Sequence, residues 1–454
     1  MERVTLKKEI FREYDVRGEY PTLLTEETAY RVGLAFGTKI KSLGKTTCVV
    51  GHDNRLSADT LTNKLIKGIT ETGINVKYLG LCTTPMYYFS CLDLNIDSGV
   101  MVTASHNPVN DNGFKIAFEN YDNIVGDQVQ ELYELACAGE FASGEGTVTE
   151  VDEKEKYVNR VIEGINLPKR LKVVLDPANA SGTYVVKDIF DKLNVEPIYI
   201  NLESDGHFPN HHPDPLVPEN MEQISKKVLE TNADLGIALD GDADRLGIVD
   251  ENGKIIAIDT YMAIIWDDIM PTAKNKYAEF DVKCSKQLED EIIKLGGIPD
   301  IYRTGNSYQK KYIKDNDRDF GGELSGHVFF RDRWPGFDDG IYGGIRLLEI
   351  MAKTGKKASE LYEHMSKYYS TPEIKVPVTE ETKFKIVDKI KEFAKGEDAK
   401  LIDIDGARVC YDDGWALVRA SNTGPNLTTR FEANTKERLE ELQNKYMSLI
   451  NEYK

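Results

Sequence analysis

The sequence predicts an α/β protein: three similar α/β domains with mixed, largely parallel sheets, then a smaller C-terminal α+β domain. Short apolar runs alternate with amphipathic helical stretches, the pattern of strands crossing over through helices. That alternation returns three times. After about residue 367 it gives way to closely spaced strands and one long terminal helix.

In the first domain, residues 47–51 read as a buried strand, 57–73 as a helix closed by Gly73, and 75–80 as the next strand. The pattern repeats as a strand at 171–176, a helix over 182–193 and a strand at 196–200. It returns around 279–280, with a helix over 285–295 and a strand at 299–302. Further on, 373–378 and 400–404 read as strands, and 406–410 with 415–420 as a hairpin. An amphipathic helix runs from about Thr435. These segments place domains at 1–150, 151–254, 255–366 and 367–454, the last boundary at the linker-like Tyr-Ser-Thr-Pro of 369–372. A chain of 454 residues is too long for one core and calls for several.

Hydrophobic content of 41% and charged content of 29% are ordinary for a globular protein. The net charge of −19 argues against a nucleic-acid binder, which carries a basic face. An anionic ligand would need Arg and Lys gathered locally against that field. The six cysteines form no C-x-x-C pair and read as free thiols of a reducing compartment. No apolar signal region opens the chain, and no run approaches the ~20 residues that span a bilayer. The expectation is a cytoplasmic protein with neither nucleic-acid nor membrane partner.

Two segments carry the chemistry. Asp240-Gly241-Asp242-Ala243-Asp244-Arg245 lies between two apolar strands, 233–239 and 246–249. Alternate carboxylates on a tight loop can converge on one hard cation such as Mg²⁺. An EF-hand would need Gly where Arg245 stands, and helical flanks. A solvated acidic turn is the plain alternative. The second segment, Thr-Ala-Ser-His-Asn-Pro at 103–108, follows a strand at 98–102 and offers one nucleophile, Ser105. A hydroxyl attacks phosphorus poorly unless it is positioned and its charge offset. His106 and Lys115 can supply that. No G-x-S-x-G elbow surrounds Ser105, and for this segment in isolation an ordinary Ser/Thr turn is the better reading.

Further polar clusters follow. In 321–327, Glu323 and Ser325 sit two apart, so an extended loop would point both the same way, toward neighbouring sugar hydroxyls. A turn around a buried His327 is the alternative. Residues 419–426 combine Arg419, two hydroxyls and free backbone N–H groups, a phosphate cradle. Residues 11–18, with Tyr14 and Arg17, and Lys283 add cationic and hydrogen-bonding groups. The His pair at 209–215 lacks a spaced partner for zinc, and its prolines read as a rigid turn.

With these motifs in order, the chain resembles the α-D-phosphohexomutases over essentially its whole length. The resemblance rests on F-R-E-Y-D-V-R-G at 11–18, T-A-S-H-N-P at 103–108, N-G-F-K at 112–115 and P-N-H-H-P-D-P at 209–215. It continues with D-G-D-A-D-R at 240–245, D-V-K-C at 281–284, G-E-L-S-G-H at 322–327 and R-A-S-N-T at 419–423. It implies four domains in a heart shape around a central cleft. It implies that Ser105 is a phosphoserine and that Asp240, Asp242 and Asp244 bind one Mg²⁺ with it. Glu323 and Ser325 would contact sugar hydroxyls. Arg419, Ser421, Asn422 and Thr423 would hold the non-reacting phosphate. Arg17, Lys115, Arg245, Lys283 and His327 would be cleft residues that bind anions or assist proton transfer.

The implied reaction interconverts hexose 6-phosphate and hexose 1-phosphate through a hexose 1,6-bisphosphate, in a monomer or weak homodimer. Phosphoglucosamine mutase is the alternative within the class, although Leu324 favours plain hexoses. A non-catalytic sugar-phosphate binder and a metal-dependent phosphatase lie outside it. The chain departs from the pattern at Asn306, where relatives often carry His, at Gly424, and at 176–182, which lacks the usual glycines.

Overall fold

A computed structural model describes residues 1–421 and 424–454. It forms two compact units, Met1–Ala257 with Ser325–Leu361, and Ile258–Leu324 with Tyr362–Lys454.

The first unit holds two mixed sheets. One runs in the order Val16–Glu19, Asp111–Glu119, Gly99–Val102, Thr47–His52, Asn75–Leu81, Val148–Glu150, with Asp122–Asn123 beside Asp111–Glu119. Thr47–His52 is parallel to both neighbours. It is buried after its first residue, hence its run of apolar residues rather than an alternation. Asp111–Glu119 returns antiparallel to Gly99–Val102, with Val102 opposite Phe114. Residues 103–110 therefore form a hairpin loop beyond the carboxyl end of a parallel strand.

The second sheet repeats the device in the order Ile255–Ile256, Leu246–Asp250, Leu235–Leu239, Leu171–Asp176, Val195–Tyr199. Leu235–Leu239 is parallel to Leu171–Asp176 and antiparallel to Leu246–Asp250, Leu239 facing Leu246. Residues 240–245 are the hairpin loop between them. In α/β sheets ligands gather beyond the carboxyl ends of the strands, and both chemistry-bearing loops lie there.

The helix expected over 182–193 is a 3₁₀ turn, Ser181–Tyr184, and a short helix, Val186–Phe190. Val185, at φ −125°, interrupts the helical path. Its neighbour Val186 is also β-branched, a residue type stiff at χ1. Within residues 176–182 the left-handed positions are not glycines but Ala178 at φ 52° and Asn179 at φ 57°.

Caps fix the helices that support the loops. Thr83 accepts from the Met86 N–H at 3.2 Å and opens the buried helix Thr84–Asp93, a cap whose loss costs about 1 kcal/mol. Asp339 caps Gly340–Thr354 through the Tyr342 N–H at 2.9 Å and also accepts from the Tyr157 hydroxyl at 2.8 Å. Burial raises the Asp339 carboxyl to about 7. Because its folded value lies above the ~3.9 of an unfolded Asp, its stabilising contribution is complete below about pH 3.9 and is lost as pH rises through 7. Asp339→Asn, still a good cap and free of that titration, is expected to gain in melting temperature relative to the parent as pH rises from 5 to 8. Thermal melts at the two pH values measure this.

In the second unit, Tyr277–Asp281 and Ile298–Tyr302 pair in parallel, joined through the helix Lys286–Lys294 capped by Ser285. The C-terminal sheet is antiparallel, in the order Tyr369–Ser370, Asn426–Ala433, Gly414–Ala420, Ala407–Tyr411, Lys400–Ile402. Along Gly414–Ala420 the faces alternate. Ala416 and Val418 meet Ile386, Ile390, Leu442, Tyr446 and Ile450 of the helices Glu380–Ala394 and Lys436–Tyr453. Trp415 and Leu417 pack on Val282. This segment is thus an antiparallel α+β layer, as its sequence pattern indicates. Among the described residues no helix is long and apolar enough to cross a membrane, and all six cysteines are free.

Candidate functional site

In the first unit the two hairpin loops meet. Ser105 donates its Oγ proton to Asp240 Oδ2 at 2.7 Å and lies 3.3 Å from His106 Nδ1. Its backbone is left-handed, at φ 51°, a conformation costing an L-residue about 1–2 kcal/mol. Its N–H donates to Thr103 Oγ1 at 2.9 Å. A Cβ on Gly241 would fall 2.1 Å from the Ser105 carbonyl oxygen, so only glycine lets the acidic loop approach this closely.

All three loop carboxylates are fully buried, which removes the reading as a solvated turn. Asp240 also accepts the Arg245 N–H at 3.1 Å. Asp242 Oδ2 accepts from Lys115 Nζ at 2.6 Å and from Thr84 Oγ1 at 2.5 Å, while its carbonyl accepts the Thr84 N–H. Lys115 Nζ also bonds Asp244 Oδ2. Burial works against the Lys115 charge, yet Asp242 and Asp244 outweigh it and hold the ammonium well above its usual range. Burial, then Asp244 and Asp242, push Asp240 well above the carboxylate range.

Asp242 Oδ1 and Asp244 Oδ1 are buried without a hydrogen-bond partner. One oxygen from each of the three aspartates lies within 4.8 Å of the others. Bare buried carboxylate oxygens are costly, and an oxygen-preferring divalent cation is the group that satisfies them. The residues fit such an ion.

Losing Lys115 would leave Asp242 and Asp244 uncompensated. Lys115→Met is expected to lower stability by about 3–5 kcal/mol in chelator, the range for breaking a buried ion pair. Mg²⁺ should restore part of that loss, which denaturant melts with and without the cation will read.

Arg245 Nε donates to His327 Nε2 at 2.8 Å, and His327 Nδ1 lies 2.7 Å from Asp338 Oδ2. With Nε2 accepting, Nδ1 carries the proton toward Asp338. The structure also offers Asp244, His327 and Asp338 as a metal-compatible trio, but that proton and the Arg245 bond occupy both ring nitrogens. His106 is held well below its usual range by burial and by the nearby Arg245 and Arg17 cations, so it is neutral. Arg17 donates to the Ala104 carbonyl and Asn107 Oδ1 and pairs with Asp15 at 2.7 Å. Tyr14 is half-buried just before it.

In the second unit, burial opposes the charge of Lys283, but Glu373 at 2.9 Å and Asp281 at 3.6 Å outweigh it. Arg419 pairs with Asp405 at 3.0 Å, and Asp405 also accepts the Thr304 N–H. Lys383 Nζ donates to the Ser421 carbonyl at 2.9 Å and the Gly424 carbonyl at 3.4 Å. Asn422 and Thr423 lie outside the described residues. Glu323 is buried and accepts the Gly305 N–H, next to Asn306, which opens the helix Asn306–Asp315. The expected extended loop is a turn: residues 324 and 325 turn and Gly326 bends at φ 91°. The alternation argument for Glu323 and Ser325 therefore does not hold. Ser325 belongs to the first unit, where the Gly326 carbonyl accepts the Leu246 N–H at 3.3 Å.

Sequence reasoning missed the supports. Thr84 and Ser181, whose Oγ donates to the Gly241 carbonyl at 2.9 Å, brace the acidic loop. Asp338 orients His327. The turn at 209–215 is structural in part: His211 Nε2 meets Asp176 Oδ2 at 2.9 Å.

The fold and site define an α/β-layered enzyme class in which a hydroxyl faces a buried aspartate triad able to hold a metal ion. Four successive family descriptions match: Phosphoglucomutase/phosphomannomutase alpha/beta/alpha domain I at residues 8–143, domain II at 155–253, domain III at 258–368 and the C-terminal domain at 373–448. The chain belongs to the phosphoglucomutase/phosphomannomutase family of phosphohexomutases. It is 42% identical over 447 residues to a phosphomannomutase/phosphoglucomutase of Pseudomonas putida, covering 98% of this chain and 96% of that one. To the Pseudomonas syringae pv. tomato protein of the same name it is 41% identical, covering 96% and 93%. A crystal structure of a Burkholderia thailandensis phosphoglucomutase/phosphomannomutase family protein superposes with a TM-score of 0.92 at 35% identity, covering 99% and 98%.

Proposed function

We infer that the protein is a phosphohexomutase interconverting the 6-phosphate and 1-phosphate of a hexose, mannose and/or glucose, through phosphorylated Ser105. The Ser105 hydroxyl facing three buried aspartates, two of them with a bare oxygen, carries this reading. The Oγ–P bond breaks as a sugar hydroxyl oxygen bonds to phosphorus, giving a hexose 1,6-bisphosphate. The hydroxyl proton passes to the neutral imidazole of His106, while His327 holds Arg245 in place. The bisphosphate turns over and returns its other phosphoryl group to Ser105.

Positioning and charge neutralisation do most of the work in such transfers. Lys115 and Arg245 offset the charge on the moving phosphoryl group. One Mg²⁺ per chain, held by Asp240, Asp242, Asp244 and the Ser105 oxygen, would supply Lewis-acid stabilisation of the phosphoryl oxygens. Arg419, Ser421, Asn422 and Thr423 bind the non-reacting phosphate, and Lys283 is a cleft cation that binds anions or assists proton transfer. Glu323 and Ser325 address sugar hydroxyls, and Tyr14 and Arg17 complete the anion-binding surface. The bisphosphate doubles as activator, and the protein works in the cytoplasm as a monomer or weak homodimer.

A coupled assay with mannose, glucose and glucosamine phosphates tests this reading. Preference for glucosamine phosphate would overturn the sugar assignment. Net phosphate release exceeding isomer formation would overturn the mutase chemistry.

A further inference from the structure

The nucleophile loop is gripped from beneath by one side chain that reaches neither the hydroxyl nor the acidic loop. Arg55 follows the carboxyl end of Thr47–His52 and its side chain is fully buried. Its Nη1 donates to the carbonyls of Pro108 at 2.7 Å and Asp111 at 2.9 Å. Its Nη2 donates to the carbonyls of Ser105 and Asn107, both at 2.7 Å. Asp53 fixes the fork from behind, Oδ1 accepting the Arg55 N–H at 3.0 Å and Oδ2 lying 3.3 Å from Nε. Phe208 covers the guanidinium, its ring centroid 5.4 Å away.

Three carbonyls of the loop and one from the first residue of the strand after it converge on one rigid planar donor, which a lysine cannot imitate. The Ser105 carbonyl is also the oxygen against which Gly241 is pressed. A non-glycine residue in left-handed backbone persists only where its surroundings over-determine it. The guanidinium supplies that determination.

We propose that Arg55 is a positioning residue for phosphoryl transfer, holding Ser105 in the one backbone conformation that aims its Oγ at Asp240. It acts through the loop backbone and touches neither substrate nor cation. The proposal rests on Ser105 being the phosphoryl carrier.

The test uses the full chain charged with glucose 1,6-bisphosphate and assayed with glucose 1-phosphate. Arg55→Lys, which keeps the charge but not the fork, is expected to lower kcat at least 30-fold with KM within threefold of the parent. Arg55→Met should lose more, and Asp53→Asn, which only loosens the fork, about 10-fold. A kcat within threefold in folded Arg55→Lys, or kcat and KM worsening together, would overturn the proposal. Should both Arg55 variants fail to fold, Asp53→Asn decides by the same split. Failure of the underlying reading looks different: intact mass would show no phosphate on Ser105 in the parent itself.

Discussion

Ser105→Ala is expected to abolish mutase activity and to lack the phosphate that intact-mass measurement is expected to find on the parent chain. The variant removes only the oxygen bonded to Asp240 Oδ2, so the fold should survive. The freed Asp240 oxygen is already under pressure to hold a proton, from burial and from the neighbouring aspartates, and a proton can stand where the hydroxyl hydrogen was. The melting temperature should therefore shift by a few degrees at most, while kcat falls by about 10⁴-fold or more, the scale on which nucleophile removal acts. A variant that still accepts phosphate from glucose 1,6-bisphosphate would place the carrier elsewhere.

Asp242→Asn separates activity from stability by size of effect. Asp242 turns a bare Oδ1 to the proposed cation site while Oδ2 is shared by Lys115 and Thr84. An amide keeps the shape but removes one of the two carboxylate charges that pair with Lys115. The cation-free protein should lose less stability than Lys115→Met does, because Asp244 still pairs with Lys115 and repulsion within the triad falls. Activity should drop by about 10³-fold, the loss of a few kcal/mol of electrostatic stabilisation. The rise in melting temperature on adding Mg²⁺ should vanish with it. An undiminished Mg²⁺ response would sink the assignment of this loop as the cation site.

The acidic loop was legible in the sequence because its information is local. Carboxylates at alternate positions between two apolar strands define a converging donor set without a fold. Ser105 was legible only through the motif around it and the order of the others, since a polar turn with one serine is common. Arg55, Thr84, Ser181 and Asp338 were not legible. Each is an ordinary residue whose role comes from a contact distant along the chain, as with Thr84 and Asp242, 158 positions apart. The α/β pattern of strands and helices could be read from apolar runs. The 181–190 segment was misread as one helix because its buried Val186, Ile189 and Phe190 match helical spacing, while local backbone preference breaks the helix at Val185. The alternation argument for Glu323 and Ser325 failed for the converse reason: it has meaning only in a strand, and there the chain turns.

The close approach of Gly241 to the Ser105 carbonyl, with 135 positions separating Ser105 from Asp240, bears on how the protein matures on the ribosome. Contacts of such long sequence separation form late, and domains fold in order as the chain emerges. A nascent chain ending before residue 240 can complete the first sheet and shape the Ser105 loop, but it has no carboxylates to set against it. With Ser105 as the proposed phosphoryl carrier, phosphorylatable enzyme is expected to appear only after the second sheet has docked on the first, and uptake of phosphate from a sugar bisphosphate would become a timestamp for that docking.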